Sequence, residues 1–223
     1  MDKIYTVGHS IQSIDEFYEM LYNYGINCII DVRSIPFSQR VPQFNKEVLK
    51  QFLNRCGIIY AHFGTEFGAR RTDCLIHIIK DGIDIQQVNF EKGTTTFDFQ
   101  RGIQRLNNAL SQGRTICLMC TESNPLDCHR FSFISRYLYD NNYDVAHIVR
   151  DKLTKKVTLK SHKELEICMI KEYLSKKNHE LREVGTNLFG ESYSKEEQRR
   201  DAYLLKNRDI GFIPTQPDED VYD

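Results

Sequence analysis

The chain has 223 residues, a net charge of −1 and 40% hydrophobic residues. That supports one sizeable domain with an appendage, and it excludes a global field drawing in nucleic acid or membrane, so any anion binding has to be local. No apolar run approaches the ~20 residues of a membrane span. The N-terminus lacks the apolar centre of a signal peptide. Seven scattered cysteines suit a reducing cytoplasm better than a disulfide framework.

Lys3 to Val7 alternates and is β-prone, which predicts a first strand that ends in Gly8-His9-Ser10. Ser13 and Glu16 form a capping box, and Ile14, Phe17, Leu21 and Tyr24 line one face of the helix it starts. Gly25 stops that helix. Cys28 to Val32 is a continuous apolar run around Asp31, a second strand that empties into the loop Arg33 to Arg40. Asn45 caps a helix carrying Val48, Phe52 and Cys56, with Gly57 after it. Ile58 to Ala61 predicts a third strand, followed by a polar loop from His62 to Arg71. Residues 72–93 show no clear period and read as an irregular excursion, a candidate flap near the site. Thr96 caps a helix with Phe99, Ile103, Leu106 and Leu110 on one face.

Thr115 to Leu138 organises the chain. Thr115 to Cys120 is short and apolar, like a buried strand. A polar loop, Thr121 to Ser123, follows. Asn124 fits a helix N-cap, Pro125 the first helical position and Asp127 a capping-box acid. Phe131, Ile134 and Leu138 then repeat at helical spacing. Cys120 therefore ends a strand, and Cys128, His129 and Arg130 lie in or beside a helix's first turn, where an anion or a thiolate is favoured. Asp144 to Val149 predicts a fifth strand.

Strand alternating with helix predicts an α/β domain over residues 1–150, a Rossmann-like parallel sheet of about five strands flanked by helices. Ligands of such sheets bind beyond the carboxyl ends of the strands. The polar loops after Val7, Val32, Ala61 and Cys120 all leave strands at that end. Residues 151–223 read as a charged helical C-terminal extension. It opens with a lysine-rich solvated face, continues with helices over Glu164–Leu174 and Ser194–Lys206, and ends in a loose acidic tail from Pro214.

Cys117 and Cys120 have the spacing of a zinc or redox pair, but residues three apart on a strand face opposite sides. Cys117 is therefore core. Cys28, Cys56, Cys74 and Cys168 read as small hydrophobes. Cys120 and Cys128 are the candidate reactive thiols, and several uses stay open. Either is a nucleophile, with His129 or His9 as base and Glu122 orienting it. The pair is redox-active. Cys120, Cys128 and His129 hold zinc with an open position, although no fourth ligand stands at short spacing, so no metal and no cofactor is assigned. Or both thiols pack under the loop. Arg33, Arg40, Arg70 and Arg130, with Ser10 and Ser38, are candidates for substrate binding, because arginine forks match phosphate and carboxylate. The competing role is tethering loops to Asp31, Glu66, Glu122 and Asp127. An anion is expected in the Thr121–Arg130 loop, held mainly by Arg33 and Arg130.

These loops together resemble the bacterial and archaeal family catalogued as domain of unknown function 488. The matching pieces are Thr6-Val7-Gly8-His9-Ser10, Asp31-Val32-Arg33-Ser34-Ile35-Pro36, Pro42-Gln43-Phe44-Asn45, Tyr60-Ala61-His62 with Gly64 to Arg70, Leu118-Met119-Cys120-Thr121-Glu122, Cys128-His129-Arg130 and His147-Ile148. Where the family usually has Gly-Gly-Arg, this chain has Gly68-Ala69-Arg70. The resemblance implies an α/β fold and supplies no established reaction. A weaker likeness, to rhodanese-type sulfurtransferases, rests on Asp31-Val32-Arg33 and Cys120; the loop after Cys120 does not look like their anion cradle. The expectation is a cytoplasmic enzyme acting on a phosphate-bearing substrate, a nucleotide or nucleic acid. The alternative is a non-catalytic module that binds nucleic acid or protein through the same arginine-rich face.

Overall fold

The computed structural model describes residues 3–151, 153–176 and 194–214; the expected tail beyond Pro214 lies outside the described residues. In chain order the elements are β1 (Lys3–Gly8), α1 (Ile14–Tyr22), β2 (Cys28–Asp31), α2 (Lys46–Arg55), β3 (Ile59–His62), α3 (Gly64–Phe67), β4 (Leu75–Lys80), β5 (Ile83–Val88), α4 (Phe90–Thr94), α5 (Phe97–Ser111), β6 (Ile116–Cys120), α6 (Arg136–Asp140), β7 (Asp144–Arg150), β8 (Val157–Ser161), α7 (His162–Lys176) and α8 (Lys195–Ile210).

The main sheet has six strands in the order β3-β2-β6-β1-β7-β8. The first five are parallel, and β8 joins antiparallel at the edge. The chain leaves β1 past β6 to reach β2, and leaves β6 past β1 to reach β7. These crossovers run in opposite directions, so right-handed connections place their helices on opposite faces. One face is covered by Phe17, Leu21, Leu49 and Leu53 of α1 and α2, packed on Val7, Ile29, Cys117, Met119 and Ile148. The other is covered by Phe99, Ile103, Leu106 and Leu138, packed on Ile4, Ile30, Leu118, Cys120 and Val145. Cys117 and Cys120 thus face opposite sides, as strand geometry requires. Each buried Phe, Leu or Ile contributes roughly 1.5–3 kcal/mol. A single cap such as the Ser13–Glu16 box of α1 contributes about 1, so packing rather than capping orients these helices.

Two regions differ from expectation. Residues 72–93 are ordered: β4 and β5 form an antiparallel hairpin, and α4 follows. Asp81 and Gly82 at its turn have φ of 53° and 79°, the mirror-image turn that strand twist favours. Of the lysine-rich stretch, residues 153–161 are a turn and then the edge strand β8. The exposed Lys160 belongs on that strand, since charged edge strands resist pairing with another chain.

The helices α7 and α8 pack through Leu165, Met169, Tyr173, Ala202, Tyr203 and Leu205 around Phe131. A polar chain runs through this contact. Tyr203 donates to Glu166 Oε1 at 2.8 Å, so its oxygen accepts from His162 Nε2 at 3.0 Å. His162 Nδ1 then accepts from His147 Nε2 at 3.3 Å, and His147 Nδ1 accepts from Thr6 Oγ1 at 2.8 Å. Every link points the same way, from β1 out to α7. Burial holds both imidazoles neutral: His162 is pushed down to about 3, and His147 well below its ordinary value.

Candidate active site

The carboxyl edge of the sheet is closed by two loops that continue the β1–β6 ladder. Gly8 is in register with Cys120, His9 N donates to Cys120 O at 3.0 Å, and Ser10 N to Thr121 O at 2.8 Å. Only glycine fits at position 8, because a methyl there would collide with the Glu122 carbonyl. Ser10 follows with φ of 47°, a left-handed conformation that is uncommon for a side-chain-bearing residue.

Asp31 anchors the α2 side of this edge. It is fully buried and accepts from Arg33 N at 3.1 Å, Arg33 Nε at 2.9 Å, Arg33 Nη2 at 2.6 Å and the Tyr60 hydroxyl at 2.7 Å. Burial and the Asp31 charge push the Tyr60 phenol above its ordinary range. Arg33 is also buried. It gives Phe44 O a bond of 2.8 Å and His9 Nε2 one of 3.1 Å. His9 Nδ1 donates to Ser10 O at 2.9 Å, which leaves Nε2 as the acceptor for Arg33. His9 is thus neutral with both nitrogens engaged, stacked on Phe44 at 4.2 Å between centroids. Burial, then the neighbouring Arg33 charge, pushes it down to about 4. Arg33 is committed to tethering this loop, and His9 is held by it.

The thiols lie on the other face. Cys120, Cys128 and His129 offer ligand atoms all within 4.8 Å of one another, and they are 6%, 2% and 8% exposed. His129 Nε2 stands 3.2 Å from Val32 O. A carbonyl only accepts, so Nε2 carries the proton and Nδ1 presents a lone pair. That Nδ1 is 3.8 Å from each sulfur. The Cys120 thiol is held well above its ordinary value, by its hydrogen bond to Cys128 and by burial. Burial acts upward on Cys128 too, but the Cys120 hydrogen bond and the Arg130 charge outweigh it and hold Cys128 well below.

The local backbone corrects one expectation. Asn124 does cap, its side chain accepting from Leu126 N, but the element it caps is a 3-10 turn, Pro125–Asp127. Cys128 is extended, with φ −131° and ψ 141°, so it does not sit in a helix's first turn. The helix starts again as a π-helical turn, Arg130–Ser135, before α6. Such turns recur at functional sites. Arg130 is fully buried here. It donates to Glu122 O at 2.6 Å and Ser123 O at 3.2 Å, while its Nε has no partner. Among the described residues no carboxylate pairs with it; Asp127 pairs instead with Lys206, at 3.5 Å. Glu122 is exposed at the loop's crest, and partial burial followed by the Cys128 charge pushes its carboxyl up.

A cavity of about 510 Å³ opens beside the Gly8–Ser10 loop. Ser10 and Arg40, both expected in substrate binding, line it, together with Gln12, Glu16, Ser123, Arg150, Asp151 and Lys155. Arg150 is paired with Glu16, and Gln12 Nε2 is buried without a partner. The sulfurs, Arg33 and Arg130 do not line this cavity. The Ser38 oxygen accepts from Arg40 N at 3.2 Å and Val41 N at 3.4 Å, holding its own loop. Arg70 donates from its backbone N to Ser34 Oγ at 2.9 Å, and its exposed guanidinium lies 5.5 Å from the Phe212 ring centre. Ala69 has no positive φ, so a residue other than glycine is accommodated there. Arg150, Lys155 and Gln12 escaped the sequence reading. The signal for Arg150 was present: it ends β7 at the same carboxyl edge as the loops singled out.

The family model described as "Domain of unknown function DUF488" matches residues 13–138, more than half of the chain. Neither the curated proteins nor the solved structures contain a match. No helix among the described residues is long and apolar enough to cross a membrane.

Proposed function

We propose, for a chain that belongs to the DUF488 family, an enzyme acting on a phosphate-bearing substrate, with nucleotides and nucleic acid the first classes to test. The observation that carries this reading is a buried guanidinium, Arg130, with no carboxylate partner among the described residues, beside two thiols that share an oriented imidazole. A buried cation of this kind calls for a negative group nearby. In this reading Cys120, Cys128 and His129 are the reactive centre, and Arg130 balances the charge that gathers on it. Glu122, with its raised carboxyl, exchanges protons with the substrate at the loop crest. His9 positions Arg33 and the β1 loop. The substrate's phosphate rests in the cavity on Arg40 and Ser10, helped by Arg150 and Lys155, and Arg70 meets its outer part. Reduced thiols suit a cytoplasmic setting.

One observation favours the second reading, a non-catalytic module that binds nucleic acid or protein through the same face. The sulfurs are 6% and 2% exposed, so a substrate meets them only if the chain around them yields. Calorimetric titration of inorganic phosphate and nucleotides at low salt tests the phosphate site. Arg40 is exposed, so Arg40→Ala leaves the fold intact. A charge-assisted bond contributes roughly 1.5–3 kcal/mol, so affinity should fall about ten- to a hundredfold. Equal affinities in the two proteins would remove the cavity from the proposal. Loss of turnover with retained binding in Cys128→Ser favours the enzyme; indifference to that substitution favours the module.

A further inference from the structure

We infer that Cys120, Cys128 and His129 bind one soft divalent metal ion, zinc by preference, through two sulfurs and one imidazole nitrogen, leaving the fourth coordination position open. The geometry needs little adjustment. A tetrahedral zinc with bonds of about 2.3 Å to sulfur and 2.0–2.1 Å to nitrogen sets sulfur and nitrogen about 3.6 Å apart. Here His129 Nδ1 is 3.8 Å from both Cys120 Sγ and Cys128 Sγ, and all the donor atoms lie within 4.8 Å of one another.

The imidazole is set for this use. Ligating histidines give their second N–H to a carbonyl or carboxylate, which fixes the tautomer and aims the ring. His129 Nε2 does so to Val32 O at 3.2 Å, which leaves Nδ1, 3.8 Å from each sulfur, to bind the metal. The cluster is buried, as thiolate ligands for zinc are in closed protein sites. Among the described residues no fourth His, Cys, Asp or Glu atom joins the group, which leaves one position for water or substrate. Charge favours an anion there. Two thiolates cancel the dication, so hydroxide or a phosphate oxygen brings the complex to −1. Arg130, buried and without a carboxylate partner among the described residues, supplies the matching charge.

This deepens the reading of the cluster as a reactive centre, because a metal with an open position activates water and polarises a phosphoryl oxygen. It nevertheless stands on the cluster alone. The test uses the full chain, purified under reducing conditions, stripped with a chelator and then given metal alone. Zinc should bind at one equivalent in competition with a chromophoric chelator. Cobalt should give the visible bands of a tetrahedral site and a near-ultraviolet thiolate charge-transfer band. Cys120→Ser, Cys128→Ser and His129→Ala should each weaken zinc by more than about a hundredfold, beyond the 10–100-fold that losing a mere supporting partner costs. Cys168→Ser, at an exposed thiol, should change nothing. The cobalt spectrum of the unsubstituted chain needs no variant, so misfolding of any of them does not blur the result. Absence of the tetrahedral bands, or zinc binding unchanged across the three variants, overturns the inference. Absence of the tetrahedral bands in a chain that still binds or converts a phosphate ligand would overturn it while leaving the proposed function standing. Stoichiometric metal in a protein that neither binds nor converts any phosphate ligand would do the reverse.

Discussion

Replacing Asp31 with asparagine removes one charge from the carboxyl edge and almost no volume. Asp31 accepts from three Arg33 donors and the Tyr60 hydroxyl, and an amide presents one oxygen to them and turns its NH₂ toward other donors. Arg33 keeps Phe44 O and His9 Nε2 but loses its counter-charge at 5% exposure. Removing one partner of a buried pair costs about 3–5 kcal/mol, a large part of the ~5–15 kcal/mol that holds a domain folded. For a chain of this size each kcal/mol moves Tm by about 2–4 °C, so a fall of roughly 6–20 °C is expected. Urea unfolding of wild type, Asp31→Asn, Arg33→Met and the double variant closes the cycle. The double variant should be less destabilised than the two single losses added together, because it leaves no unpaired charge. A cost below about 1 kcal/mol for Asp31→Asn, with additive losses, would refute the tether. Arg33 would then be free to hold a ligand, as its place in the sequence predicts.

Gly8→Ala should force the β1 loop away from the Glu122 carbonyl and cost about 1–3 kcal/mol, as overpacking does; a denaturation midpoint unchanged from wild type would contradict that close approach. Stability should also fall in acid. His9 and His162 are pushed down to about 4 and about 3 by burial, below the ~6.5 of an unfolded histidine. The unfolded chain therefore takes up protons first, and stability, complete above pH ~6.5, is lost as pH drops toward the folded values, by up to about 1.4 kcal/mol per unit for each histidine. Urea midpoints that stay level from pH 7 to 5 would show these rings to be solvated. Arg130→Lys keeps the charge but not the fork that spans two carbonyls, so it should loosen the Glu122–Ser123 loop while preserving the low thiol pKa; proteolysis of that loop and the pH dependence of alkylation separate the two effects.

The parallel strands were legible because each is a short β-prone run, alternating in β1 and continuously apolar in β6, and burial on both faces leaves no other solution for a segment such as Ile116–Cys120. The hairpin was not, although Asp81-Gly82 is a strong turn signal. Its alternation is blurred because Ile79 and Ile83 beside the turn are both exposed. β8 was hidden by Lys160 and the lysines just before it, Lys155 and Lys156, which mark an edge strand as readily as a solvated loop. Helical spacing placed Phe131, Ile134 and Leu138 in the core, where they are. It did not reveal the π-helical turn, since a wider turn can bury the same residues.

At the site, residue type and order were enough to bring Cys120, Cys128 and His129 to one edge, but not to say where each arginine points. Arg33 and Arg130 both follow strands at the same edge and both are buried, yet one faces a carboxylate and the other faces carbonyls. The difference lies in the backbone. Asp31 is two residues before Arg33 and receives its main-chain N as well as its side chain, a local pairing that any arginine at that spacing can make. Arg130 emerges from a π-helical turn, which aims it at the loop carbonyls of Glu122 and Ser123 rather than at Asp127. A guanidinium bound only to neutral carbonyls keeps its whole charge uncompensated. The negative groups that feel it are the Glu122 carboxyl and the sulfurs, and after the Cys120 hydrogen bond it is the charge that holds the Cys128 thiol low. The charge on Arg130 and the charge on the thiol pair are therefore linked, and whatever occupies the centre has to match both.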